Sequence, residues 1–152
     1  YLYEMIDRWA DPFGVDTAAH FGLLEHDLKP KPAWTALVRL QRALLDGGAP
    51  DRAVAPLRAT VAAGPADLRV LAFRRRDGTT TLALWRAVSQ WDNQTLVETP
   101  AAPAAVRLQL SGGEAGGALS TDVVSGKRKR LPEGQEIALE LTGSPVLVSG
   151  LR

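Results

Sequence analysis

From Leu68 to Leu151 the chain repeats one pattern, short runs of apolar residues alternating with polar ones, broken by turns rich in Gly, Pro, Asp and Ser. A backbone of that period sends every second side chain to one face, and that face must be buried against another layer. Six runs fit: Leu68–Arg75, Thr79–Val88, Ala105–Leu110, Ala118–Val124, Glu136–Leu141 and Val146–Leu151, separated by segments such as "SGGEAGG", "SGKRKRLPEG" and "TGSP". Asp77-Gly78 predicts that the first two pair as an antiparallel hairpin, since this dipeptide accepts the backbone angles of a tight turn. Short strands at even spacing with Gly and Pro turns predict an antiparallel β-sandwich.

The front of the chain obeys different rules. Tyr1–Ile6 is aromatic and aliphatic with a single acid, which predicts a short buried strand, and "DRWADPFGVD" after it is turn chemistry. Pro30 and Pro32 bar a helix before them, whereas Ala33, Leu37, Leu40, Ala43 and Leu44 recur at helical spacing until "DGGAP". The spacing predicts a helix over Pro32–Asp46, with Trp34 and Leu37 on or beside its apolar stripe. Residues 49–66, rich in Ala, Pro and Arg, read as a linker into the first sandwich strand. The fold class is therefore mainly β: an antiparallel β-sandwich preceded by one strand–loop–helix unit.

Composition narrows the function classes. A chain of 152 residues fits one ordinary domain, or one domain plus the remnant of another. A net charge of +1 provides no global field for nucleic acid or an anionic membrane, and no apolar run approaches the roughly 20 residues of a spanning helix. With no cysteine there is neither a disulfide framework nor a thiolate metal site. "SGGEAGG" is followed by no helix and no Lys-Ser or Lys-Thr pair, so it is not a phosphate cradle. No cofactor is expected. His20, Glu25, His26 and Asp27 have no metal-ligand spacing, and no metal site is expected there; His26 and Asp27 suit the turn before Lys29-Pro30. The basic run Lys127–Arg130 reads as solvated edge residues that discourage strand addition.

Two sets of segments carry a resemblance. "YLYEMID", an acidic loop and "HFGLLEHDLKPKPAWTALVRL" resemble the eighth strand, following loop and eighth helix of retaining glycoside hydrolases built on a (β/α)8 barrel, the cellulase-like clan. "LALWRAVSQWD", "LSTDVVSGKRKRL" and "IALELTGSPVLVSGL" resemble the small accessory sandwich that follows such barrels. The resemblance implies that this chain is the C-terminal piece of a longer enzyme. Residues 1–48 would be the terminal strand, loop and helix of the barrel, 49–66 the linker, and 67–152 the accessory sandwich. It also implies that the two catalytic glutamates lie upstream, on the fourth and seventh strands, so that no catalytic residue is expected here and the chain alone is inactive.

The parent would cleave β-linked sugars by double displacement, which needs two carboxyl groups about 5–5.5 Å apart. Glu4 and Asp7 are no such pair, because strand alternation points them to opposite faces. Barrel enzymes build their sites from loops at strand C-termini, which makes Asp7–Asp16 part of one rim of the cleft. Trp9, Glu4 and Asp7 are the expected substrate-binding residues. Trp9 would supply the aromatic plane on which the C–H face of a pyranose packs, with loop packing the competing role and Phe13 a rival. Glu4 would lie on the barrel interior, or Asp7 would shape the loop. The expected partners are a β-glycoside substrate and the rest of the barrel, packed on the N-terminal helix and the sandwich. The parent would be secreted or extracellular. In the sandwich, Trp85 shares a face with Ala83 and Ala87, opposite Leu82 and Leu84, and is expected against the barrel or the Pro32 helix, while Trp91 falls in a loop. The alternative, from a different class, is a non-catalytic β-sandwich that binds carbohydrate or mediates adhesion, with Trp85 or Trp91 as its sugar face.

Overall fold

The computed structural model describes residues 4–16, 20–45, 57–92, 94–95 and 97–152. One helix, α1 (Pro32–Leu44), precedes ten strands: β1 (Arg58–Ala63), β2 (Leu68–Arg74), β3 (Thr80–Arg86), β4 (Trp91–Asp92), β5 (Val97–Glu98), β6 (Ala104–Ser111), β7 (Leu119–Asp122), β8 (Arg128–Arg130), β9 (Glu136–Leu141) and β10 (Val146–Leu151). They form an antiparallel three-stranded sheet in the order β1-β6-β9, a five-stranded sheet in the order β2-β3-β10-β7-β8, and the small β4-β5 ribbon. The mainly β sandwich expected from the sequence is the observed fold.

Alternation builds its core. In β6, Val106, Leu108 and Leu110 are buried and the residues between them face water; in β9, Ile137 and Leu141 do the same. They meet Leu82 and Leu84 of β3 and Val148 and Leu151 of β10 in one cluster that spans both sheets. Val148 and Leu151 are an odd number of residues apart and would face opposite ways in a regular strand. The register against β3 shifts between them, and that bulge returns Leu151 to the core.

The five-stranded sheet is covered on its outer face as well. Ala36, Leu40 and Ala43 of α1, at helical spacing, pack on Ala83, Val123 and Leu147. This explains why β3 is buried on both faces, Leu82 and Leu84 inward and Thr81 and Ala83 outward. Trp85 lies on the face of Ala83 and is half-buried. No residue of α1 is buried, so the helix is covered along one stripe only. Its start is as expected: Pro32 occupies the first turn, where its missing N–H costs nothing.

Three expectations are corrected. Residues 49–66 are not a linker throughout, since Arg58–Ala63 is a strand, paired with β6 from Arg58 opposite Ser111 to Ala63 opposite Arg107. Ala-rich sequence gives no strand signal of its own, and the open edge of β6 imposes the conformation; residues 49–56 lie outside the described residues. Trp91 is not in a loop but starts β4, opposite Glu98. The buried strand over Tyr1–Ile6 is, among the described residues, a single parallel bridge from Ile6 to Leu24, and Tyr1–Tyr3 lie outside them. The Met5 carbonyl accepts hydrogen bonds from the Leu23 and Leu24 N–H groups.

The hairpin at Asp77-Gly78 forms with a three-residue loop. Gly78 takes φ +83°, and the Asp77 carboxylate accepts from the Thr79 N–H and hydroxyl at 2.9 and 2.7 Å. Arg86 clamps Asp67 with two parallel bonds of 3.0 and 2.7 Å, fastening the end of β3 to the β1–β2 connection. β8, carrying the basic run, is the exposed edge of the five-stranded sheet, where charge discourages a further strand.

Candidate functional site

The loop after Ile6 and the turn before α1 fold against each other around Asp7, which is buried although the chain near it is mostly exposed. Its Oδ1 accepts the Gly22 N–H at 2.8 Å and the Lys31 ammonium at 2.7 Å. A Cβ at Gly22 would lie 2.4 Å from the Asp7 nitrogen and 2.6 Å from Oδ1, so only glycine allows this approach. Lys31 also donates to the His20 carbonyl at 3.0 Å. It stands at the N-cap of α1 without capping it; its side chain is spent on Asp7 instead.

His20 stands between two carboxylates. Its Nε2 is 3.1 Å from Asp11 Oδ2 and its Nδ1 is 4.0 Å from Asp7 Oδ2. Asp11 Oδ2 further accepts the Asp16 N–H at 2.7 Å, which closes the loop on itself. The Lys31 hydrogen bond is the main cause that holds the Asp7 carboxyl below its ordinary range, with the Gly22 N–H and the charges of Lys31 and His20 adding to it against desolvation. The Asp11 carboxyl is held low first by the Asp16 N–H and then by His20. Both acids are ionised at neutral pH and engaged by donors, which suits positioning rather than proton transfer.

These side chains line an open cavity of about 340 Å³ whose wall includes Asp7, Trp9, Asp11, His20, Glu25 and Lys31. The structure thus brings two of the three expected binding residues, Asp7 and Trp9, to one cavity. Glu4 is elsewhere: its Oε1 accepts Arg8 Nε at 2.6 Å, and its buried Oε2 has no partner among the described residues. Trp9 is half-exposed, and Phe13 is far more open to solvent.

His20, Lys31 and Gly22 belong to the site without having been expected there, because the bonds that define it join residues 15 and 24 positions apart. The turn over Glu25–Lys29 forms with Leu28 at φ +69° and Lys29 paired to Asp27 at 2.6 Å. Among the described residues no group of three His, Cys, Asp or Glu could hold a metal ion.

No family model and no curated protein matches the chain. Among solved structures the chain is similar to a family 39 glycoside hydrolase from the gut symbiont Bacteroides cellulosilyticus WH2, with a TM-score of 0.59 and 18% identity. The likeness covers 95% of this chain and 24% of that one, so the chain spans about a quarter of the length of its structural neighbour, and what the two share is the fold, from the loop and helix through the sandwich.

Proposed function

We propose that this chain is the C-terminal part of a glycoside hydrolase that acts on β-linked sugars by a retaining double displacement, with its two catalytic glutamates upstream. The observation that carries this reading is that the likeness to a family 39 glycoside hydrolase extends over 95% of the chain, too much to be confined to the sandwich. The uncovered faces of α1 agree with it: Leu37 and Leu44 are only partly buried, a surface the remaining barrel would cover. In this reading residues 1–48 complete the barrel and the sandwich braces it from outside.

The Asp7–Asp16 loop forms one rim of the cleft. Trp9 offers the apolar plane for a pyranose ring, and His20 and Lys31, held in place by Asp7 and Asp11, present polar hydrogens to its hydroxyls. Glu4, whose buried Oε2 lacks a donor, faces the barrel interior and takes one from an upstream strand. Asp7 is held ionised and doubly bonded, so it positions and does not act as acid or nucleophile.

The test uses the full-length open reading frame that contains this chain. The product is assayed on aryl β-glycosides and treated with a 2-fluoro glycoside that traps the covalent intermediate. A glycosyl adduct on a glutamate upstream of Tyr1, seen by mass spectrometry, is the expected result. Absence of a barrel sequence upstream, or turnover with inversion at the anomeric carbon, sinks the reading. A second reading rests on Trp91, which is 47% exposed on the β4–β5 ribbon. There the chain is a non-catalytic carbohydrate-binding or adhesion module, and glycan-array binding by the chain alone that vanishes in Trp91→Ala would favour it.

A further inference from the structure

The basic run on β8 is not used by the glycosidase reading, and alternation divides it. β8 pairs Arg128 with Thr121, Lys129 with Ser120 and Arg130 with Leu119, while β7 pairs Thr121 with Leu147 and Leu119 with Ser149. Leu147 belongs to the face covered by α1. Arg128 and Arg130 therefore stand on the helix side of the sheet, and Lys129 on the other. From above, α1 brings Arg39 and Arg42, one turn apart, to the same place. The result is a groove of about 370 Å³ between helix and sheet, whose walls include Arg39, Arg42, Arg128, Thr121, Ser149 and Leu147, and no carboxylate.

The three arginines are not equivalent. Arg39 donates to the Val123 carbonyl at 3.0 Å and to the Val124 carbonyl, and its guanidinium lies against Gly126, where an added Cβ would meet Cζ at 2.8 Å. It is a structural clamp. The side chains of Arg42 and Arg128 have no hydrogen-bond or ion-pair partner among the described residues. Two like charges beside one groove repel each other and gain nothing from the fold. A guanidinium is weakly hydrated and offers a planar fork that matches an oxyanion, and the Thr121 and Ser149 hydroxyls supply further donors. A cation is excluded by charge. A nucleic-acid backbone needs several phosphate contacts along a track, whereas this groove holds two free guanidinium groups.

We propose that the groove between α1 and β7–β8 binds one small oxyanion, with Arg42 and Arg128 donating to it and Thr121 and Ser149 completing its shell. This site is separate from the Asp7 cavity and does not depend on the glycosidase reading. Phosphate, sulfate and the carboxylate of an acidic sugar share the required chemistry. Arg42 stands in the last turn of α1, whose final carbonyls oppose an anion, so the affinity is modest.

The test is thermal unfolding of the whole chain in sodium phosphate, sodium sulfate or sodium glucuronate, each matched in ionic strength by sodium chloride. The expected result is a saturable rise in Tm with at least one of the three and none with chloride. A larger effect of glucuronate identifies a sugar-borne carboxylate, and a larger effect of phosphate or sulfate a free tetrahedral anion. The Arg42→Ala/Arg128→Ala double variant should lose the rise, while Arg128→Lys, which keeps charge but not the fork, should weaken it about tenfold in Kd. Should the double variant not fold, phosphate titration of the unaltered chain by NMR decides, with shifts expected at Thr121, Ser149 and the Arg42 side chain. Equal effects of chloride, a rise retained in the double variant, or shifts confined to other residues would overturn the proposal.

Discussion

The sandwich and the segment before it follow two different ways of holding a chain together. In the sandwich, leucines at or near zero exposure come from four strands and interlock in one cluster, and polar links such as Arg86 to Asp67 sit at its margin. Among the described residues the segment over 4–31 has no such cluster. Among its described residues Asp7 is the one polar residue buried as a whole, and it is the centre of the segment's organisation, while Met5, Ile6, Trp9, Phe13, Val15, Phe21 and Leu28 are left exposed. A β-sandwich closes its own apolar faces. The segment over 4–31, with only isolated bridges among its described residues, has no second apolar layer to close against. The front of the chain is thus fixed by a few directional bonds, and the back by many non-directional contacts.

The largest expected effect falls on the back. Leu108 is fully buried at the centre of β6, and Leu108→Ala should cost about 2–5 kcal/mol, read as a fall in the urea midpoint with the slope unchanged. Cleavage by a protease at the front should begin no earlier in this variant under native conditions. If it does, the two regions unfold as one unit and the contrast between them fails.

The complementary break is Gly22→Ala. The added methyl would need space now held by the Asp7 backbone, so the loop must leave Asp7 and Lys31 loses its site. Proteolysis within 4–31 should accelerate markedly, while the unfolding free energy of the sandwich stays within about 0.5 kcal/mol of the parent chain. A large loss of sandwich stability would mean that the Asp7 centre supports α1 and, through it, the five-stranded sheet.

Acid sharpens the same comparison. The Asp7 carboxyl lies below its unfolded value of 3.8, so its contribution is complete above that pH and is lost as pH falls through the folded value. Asp67, lowered chiefly by its hydrogen bond with Arg86, behaves likewise in the sandwich. Lowering pH from about 5 to about 2 should release the front first, because Asp7 is its main anchor, whereas Asp67 is one contact among many. Asp7→Asn should weaken the acid sensitivity of the front, seen by proteolysis, leaving the part that Asp11 carries, and should not alter that of the sandwich, seen by circular dichroism. Identical acid profiles in the two chains would show that Asp7 does not anchor the segment.

The two regions also differ in how far the sequence discloses them. The alternation of β6 and β9, the Asp77-Gly78 hairpin and the start of α1 at Pro32 are written in neighbouring residues, and each is found where the local pattern places it. β1 is not, because "RATVAA" becomes a strand only through the edge of β6, 49 residues away at Thr60 and Gln109. The site is harder still. Acidic residues after a strand and an aromatic in the loop point to the region, yet the pairing of Asp7 with Lys31 and the closeness of Gly22 arise from tertiary folding alone. The one local hint was Gly22 itself, inside Phe-Gly-Leu, where a glycine between two apolar residues signals a close backbone approach.

The smallest expected effect concerns Trp91, the point at which the back of the molecule most resembles the front. Like Trp9 it is an aromatic left nearly half in solvent, and β4 places it directly opposite Glu98 on a two-stranded ribbon apart from the main sheets. The Thr99 N–H donates to the Gln90 carbonyl one position earlier, which makes Trp91 and Glu98 a close, non-hydrogen-bonded pair. An indole in that position contributes little to the core, and Trp91→Ala should change stability by less than about 0.5 kcal/mol in urea unfolding. A loss of several times that amount would show that the ribbon is integral to the sandwich. With stability unchanged, carbohydrate affinity of the same variant then separates two roles for an exposed tryptophan. Unaltered binding leaves Trp9 as the aromatic that faces sugar, and lost binding moves recognition to the sandwich.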